Sequence, residues 1–215
     1  MTSGIEPRWH IMLTVLVLLG LNVVLPEHHR AMPLWVSVAV VVIACLAMAG
    51  VSWAADKPRW LRIETAIMRT IAVIALATQV VSLATVIHQI VGGAARPSGL
   101  TLLTSGLNVW TSVVLAFAVL FWQLDRGGPA GRMDDPGRQA DWLFPEAANP
   151  DAVRPGWQPM FVDYLFLSFS TATAFSTTDA VPLTSRAKLL MMLEAAIALA
   201  TLVVVASRAI NVLGS

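Results

Sequence analysis

Residues 160–186 read MFVDYLFLSFSTATAFSTTDAVPLTSR. The opening portion, MFVDYLFLSFSTATA at 160–174, is apolar enough to enter a membrane but too short to cross it, because a helical span needs about 20 residues. The hydroxyl-rich portion that follows, at 170–186, also carries Asp179 and Pro182. It cannot face lipid, where irregular backbone is tolerated only inside protein or beside water. The stretch therefore predicts a half-helix that enters the membrane and turns back, lining a cavity or pore.

The rest of the chain is built for lipid. Of its 215 residues, 57% are hydrophobic and 13% are charged, against roughly 25% charged in a soluble domain. Charged residues cluster in short segments, and apolar runs fill the gaps. Five spans are expected, at 10–26, 34–55, 64–92, 101–124 and 186–212. Pro26, Pro33, Pro58 and Pro97 punctuate the connections, where a missing N–H does least damage. Trp9, Trp35, Trp53, Trp60 and Trp122 fall near span ends, the headgroup level that indole rings prefer; Trp110 is mid-span, beside Asn108. The connection 125–160 mixes Asp, Arg, Gly and Pro and reads as surface loop with little regular structure. The first apolar run follows Arg8 as a signal peptide does, yet no small-x-small cleavage site precedes Pro26-Glu27-His28, so it reads as a retained helix. The fold class expected is all-α and membrane-embedded: five transmembrane helices plus one re-entrant pore helix.

Residues 163–210, DYLFLSFSTATAFSTTDAVPLTSRAKLLMMLEAAIALATLVVVASRAI, resemble the pore module of bacterial potassium channels. In that family a pore helix leads into a T-T-V-G-Y-G-D filter, then a V-P-x-T turn and an inner helix. The matching elements are Asp163-Tyr164, Ser168, Thr171, Thr173, Asp179, Val181-Pro182, Thr184, Ala187-Lys188-Leu189-Leu190, Met192-Leu193-Glu194 and Arg208. The C-terminal layout is also similar to a family of multi-span bacterial membrane proteins of unassigned role. The resemblance implies a three-helix scaffold at 1–95. It implies a pore module at 96–215, made of an outer helix at 101–124, the long loop, a pore helix and filter at 161–182 and an inner helix at 186–212. It also implies a homotetramer, since two-span pore modules cannot enclose a pore alone, and a bacterial inner-membrane location.

One departure matters more than the agreement. Where the family has T-V-G-Y-G, this chain has Ala174-Phe175-Ser176-Thr177-Thr178. A potassium filter aims backbone carbonyls at the ion in place of its water shell, in conformations that glycine reaches freely and bulky or β-branched residues do not. Stacked carbonyl rings are therefore not expected. With Thr173 and Ala174 leading into it, a fourfold assembly would present hydroxyl rings from Ser176, Thr177 and Thr178, an apolar ring from Phe175 and a carboxylate ring from Asp179. The last favours cations, and an apolar ring gates by dewetting or plugs the axis. Ala198 stands where the family often has a hinge glycine, which implies a straighter inner helix. The resemblance places Glu194 behind the filter, within reach of backbone or of Ser168 and Thr171, as support for the pore.

Other candidates are weaker. Thr78, Ser82, Thr85 and Gln89 share one face of the third span, and with His88 they read as a polar pathway or as glue between helices. Arg59, Arg62 and Arg69 open that span without a regular three-residue series, so an interfacial anchor is the plainer account than a voltage sensor. His28-His29 lack a third metal ligand, and no cofactor is implied. Cys45 is the single cysteine and excludes a disulfide framework. A net charge of +1 points away from nucleic acid. No catalytic constellation appears, so an enzyme is not expected.

Orientation is in conflict. The connections at 56–63 and 125–185 share a side and carry Lys57, Arg59, Arg62, Arg126, Arg132, Arg138 and Arg154, against Arg30 and Arg96 opposite. Basic residues favour the cytoplasm, which puts the pore mouth there; the channel resemblance puts it outside. The resemblance is given the greater weight. The leading expectation is an ion channel-like pore, at most weakly selective for monovalent cations. The alternatives are a non-conducting scaffold or partner-binding protein that keeps the pore fold, and a small transporter using the Thr78–Gln89 stripe.

Overall fold

The computed structural model describes residues 9–24, 33–53, 58–92, 99–135, 137–174 and 180–213, and all that follows concerns these. Long helices dominate: α1 (Trp9–Val24), α2 (Leu34–Trp53), α3 (Pro58–Gly92), α4 (Gly99–Leu124), α7 (Phe161–Ala174) and α8 (Ser185–Leu213). Two short helices, α5 (Gly128–Asp134) and α6 (Pro145–Ala148), and two two-residue strands, β1 (Trp142–Leu143) and β2 (Val181–Pro182), lie between α4 and α8. Three helices are long and apolar enough to cross a membrane, over Arg62–Thr85, Leu103–Gly127 and Ser185–Val204. The apolar stretches of α1 and α2, Trp9–Leu21 and Leu34–Ala47, are shorter.

The central helix is α4. It packs against α1, α3, α7 and α8, and 72% of its apolar window is buried. The sequence accounts for this. Ser105, Val109, Ser112, Val113, Ala116, Ala118 and Val119 are small and buried, so neighbouring backbones approach closely. Phe117, Phe121 and Trp122 then fill the space near its end. Asn108 donates from Nδ2 to the Leu21 carbonyl at 2.7 Å, tying α1 to α4.

The chain turns sharply after α4. Arg126, Gly127 and Gly128 take φ of 52°, 81° and 81°, the left-handed region that glycine enters without penalty. This sends residues 128–144 back over the end of the bundle. The expectation of a surface loop with little regular structure at 125–160 is corrected over 125–144, where Asp125, Asp141, Trp142 and Phe144 are buried and the last two belong to the main apolar core; residues 145–158 are mostly exposed, as expected. Trp142 packs against Phe121 with the rings tilted by 47° and 4.8 Å apart, and donates its indole N–H to Met191 Sδ at 3.3 Å. Trp142, Leu143 and Phe144 carry apolar area that has no reason to stay in water, so they fold inward as a lid. Trp122, near the end of α4, is likewise buried, edge-on to Phe161 with the Arg132 guanidinium 5.5 Å above its ring. Trp9, Trp35 and Trp60 are exposed.

The direction of the last helices follows from their bonds. Both α7 and α8 begin at the C-terminal end of α4. The Tyr164 hydroxyl near the start of α7 donates to Asp125 at 2.6 Å, and Arg186 at the start of α8 donates to the Leu124 carbonyl at 3.2 Å. Strand β2 pairs antiparallel with β1, Leu143 opposite Val181 and Trp142 opposite Pro182. So α7 runs away from that end for 14 residues, about 21 Å at 1.5 Å per residue. The described chain then resumes at Ala180, back where α7 began. Consecutive helices α7 and α8 are therefore parallel to each other, and both are antiparallel to α4.

Candidate functional site

Capping residues set where α7 and α8 start. At α7, Asp163 Oδ2 accepts the Met160 N–H at 2.7 Å, the reciprocal half of a capping box. At α8, Thr184 Oγ1 accepts the Ala187 N–H at 3.2 Å, satisfying one of the helix's orphan donors. Polar side chains aligned on these two starts form two clusters at different depths.

The outer cluster is a clamp around two buried carboxylates. Asp125 accepts the Asp141 N–H at 2.7 Å on Oδ1 and the Tyr164 hydroxyl on Oδ2. Asp141 accepts the Thr184 hydroxyl at 2.7 Å and Arg186 Nε at 2.6 Å on Oδ1, and Arg186 Nη2 on Oδ2. The Asp141 carbonyl takes the Leu183 N–H at 2.8 Å. Each carboxylate is held by several donors, and Asp141 has a bidentate guanidinium, the geometry that best offsets desolvation of a buried charge. Arg132 adds a bond from Nη1 to the Trp122 carbonyl at 2.9 Å. Arg69 of α3 reaches the Gln123 carbonyl from Nε and Nη2 at 3.0 and 2.8 Å. The ends of α4, α7 and α8 are thus tied to one another and to the first third of α3 through charge-assisted bonds.

The inner cluster lies where α4, α7 and α8 meet. Ser168 Oγ is 2.7 Å from the Val114 carbonyl and also bonds Glu194 Oε1. These residues sit roughly 10–15 Å below the clamp at 1.5 Å per helical residue. A hydroxyl has one proton, so Ser168 donates to one of these two acceptors at a time. Glu194 is fully buried, and its Oε2 has no partner. Ala198, also fully buried, packs with Val114 and Ala172 one turn further along. Its methyl fills the three-helix contact, and α8 runs unbroken through it.

The sequence candidates divide accordingly. Ser168, Glu194 and Ala198 come together. Thr171 lies nearby but donates to the Leu167 carbonyl of its own helix at 2.8 Å, so it does not reach Glu194. Thr173 is exposed and bonds the Phe169 carbonyl at 2.6 Å. Ala174 closes α7, its side chain outside the description, and Phe175, Ser176, Thr177, Thr178 and Asp179 lie outside the described residues. On α3, the hydroxyls of Thr78 and Thr85 bond the Ile74 and Val81 carbonyls one turn back. Thr78 faces a largely apolar space between α1, α2 and α3, and His88 is exposed. The side chains of Ser82, Gln89, Arg59 and Arg208 lie outside the description, as do His28 and His29. Cys45 is free and packs against the core.

The outer clamp escaped sequence reasoning. Asp125, Asp141 and Arg186 are far apart in the chain, and nothing in their spacing marks them as partners. The run Trp142-Leu143-Phe144 inside a polar segment is the signal that could have found it. Among the described residues, no three His, Cys, Asp or Glu side chains gather as a metal site. No protein-family model, curated protein or solved structure matches this chain, so what it does must be argued from its own residues.

Proposed function

We propose that this is a multi-pass membrane protein whose C-terminal half is a re-entrant pore module. In this reading α1, α2, α3, α4 and α8 are five spans, and α7 is a half-helix that dips in and returns. One observation carries the proposal: α7 and α8 are parallel neighbours that both start at the C-terminal end of α4. A helix of about 21 Å is too short for the roughly 30 Å hydrocarbon core, and the chain comes back to the side it left. The two clusters support the same reading. The clamp fixes where α7 enters, and the Ser168–Glu194 contact holds its far half against α8, where a buried ionisable group is expensive unless it serves a purpose.

Four copies around α8 would bring Phe175, Ser176, Thr177, Thr178 and Asp179 to a shared axis. Such a pore favours monovalent cations weakly through its carboxylate ring and lacks a potassium-type filter. On α8, Leu189, Met192, Leu193, Leu199 and Val203 form an exposed apolar face within one protomer, as a helix facing neighbouring copies or lipid requires. The second reading, a non-conducting scaffold that keeps the pore fold, is favoured if Phe175 closes the axis. The basic residues gathered at the C-terminal end of α4 favour a cytoplasmic location for it, against the channel orientation. Cysteine labelling at positions 130–150 in intact cells decides between them.

Purified protein in liposomes, tested separately for potassium, sodium, proton and chloride flux, separates conduction from scaffolding. Cation flux that rises in Phe175→Ala supports the pore. Absence of flux in both proteins rejects conduction, and a monomer in native mass spectrometry rejects the assembly.

A further inference from the structure

We propose that the cleft between the start of α3 and the turn after α4 binds a phosphate group, supplied by the headgroup of an anionic phospholipid. The cleft has a volume of about 390 Å³, inside the roughly 300–1,000 Å³ range of small-molecule sites. Three arginines line it, Arg62, Arg69 and Arg138, together with Thr65, Gly127 and Gly131. The guanidiniums of Arg62 and Arg138 have no carboxylate partner among the described residues. Arg69 uses Nε and Nη2 on the Gln123 carbonyl, which leaves Nη1 to donate. Arg138 and Arg186 are both close enough to Arg69 to repel it. Asp141 pairs with Arg186, whereas among the described residues no acid lines the cleft.

The backbone is shaped to hold Arg138 there. A Cβ on Gly127 would lie 2.5 Å from Arg138 Nη1, and one on Gly131 3.3 Å from it. Glycine at both positions therefore makes the bed in which this guanidinium rests. Like charges packed together without an acid are stabilised by a shared anion, and the planar fork of arginine matches phosphate oxygens. The level is right for a lipid phosphate: the apolar window of α3 begins at Arg62 and that of α4 ends at Gly127, and exposed Trp60 lies beside them. Basic pockets between spanning helices at this depth take anionic headgroups. The inference rests on the membrane reading of α3 and α4 and is independent of whether the C-terminal half conducts.

The test uses the full chain in detergent micelles, with native mass spectrometry as the readout. The probes are phosphatidylglycerol, phosphatidylcholine and inorganic phosphate. Phosphatidylglycerol should stay bound where phosphatidylcholine does not. The double variant Arg62→Gln/Arg138→Gln should lose about twenty-five-fold in affinity, from about five-fold per arginine at a headgroup. Arg154→Gln, which removes one positive charge away from the cleft, should bind as wild type does. Inorganic phosphate that binds alone, and is lost in the double variant, keeps the phosphate site but assigns it a soluble ligand. Equal retention of the two lipids, or equal loss in Arg154→Gln, overturns the site. Membrane insertion of every variant is measured alongside, so that failure of the membrane reading is seen separately.

Discussion

Asp141 and Arg186 form one ion pair, yet removing either end should have unequal consequences. The Asp141 side chain is 1% exposed and that of Arg186 is 53% exposed. In Asp141→Asn the guanidinium is already half in water and can turn outward, while the Asn carbonyl still accepts from Thr184. The loss is then one charge-assisted contact, about 1 kcal/mol once solvent screening is allowed for. In Arg186→Gln the carboxylate stays buried with the Thr184 hydroxyl as its remaining side-chain donor. Stranding a buried charge costs about 3–5 kcal/mol, and about 3 kcal/mol is expected here because Thr184 stays. Thermal unfolding of the purified protein in one detergent provides the assay. At about 2–4 °C per kcal/mol for a chain of this size, Asp141→Asn should lower Tm by about 2–4 °C and Arg186→Gln by about 6–12 °C. The double variant should fall between the two, because without Asp141 there is no charge to strand. If Asp141→Asn costs as much as Arg186→Gln, or if the two losses simply add, the buried-carboxylate account of the clamp is wrong.

Other outcomes follow from the same packing. Trp142→Ala should cost about 3–5 kcal/mol by emptying a buried site against Phe121 and Met191, while exposed Trp35→Ala should leave stability nearly unchanged; chemical denaturation compares them. Ser168→Ala deprives Glu194 of its bond to that hydroxyl, and should cost about 1–3 kcal/mol. Glu194→Gln, which keeps the shape and an oxygen that can accept from Ser168, should cost less in the same assay. Gly131→Ala would place a methyl 2.2 Å from the Arg126 carbonyl oxygen and should cost about 1–3 kcal/mol through overpacking. Gly156→Ala meets nothing within 4 Å and should cost only the left-handed backbone penalty of about 1–2 kcal/mol; unfolding midpoints rank the two.

Much of the helical layout was legible in the sequence. Apolar run length sets helix length, and proline marks the breaks, so α1 to α4, α7 and α8 fall within a few residues of the expected bounds. The exception is the start of α3, at Pro58 rather than near Glu64, because proline suits a first helical turn. The Ser168–Glu194 pairing was also within reach, since both sit at matching depth on helices that the channel resemblance sets side by side.

Composition alone determined that this chain is helical and rich in lipid-compatible segments, because those properties are sums over local stretches. Only the tertiary structure decided that residues 125–144 form a lid rather than a loop, that Trp122 is buried, and that Arg186 belongs to Asp141. It also decided that α7 and α8 start from one end. Those facts depend on which distant groups can satisfy each other's charge, hydrogen bonds and apolar area at once. That condition is set by the meeting of three helix ends with the side of a fourth helix, not by any one segment's pattern.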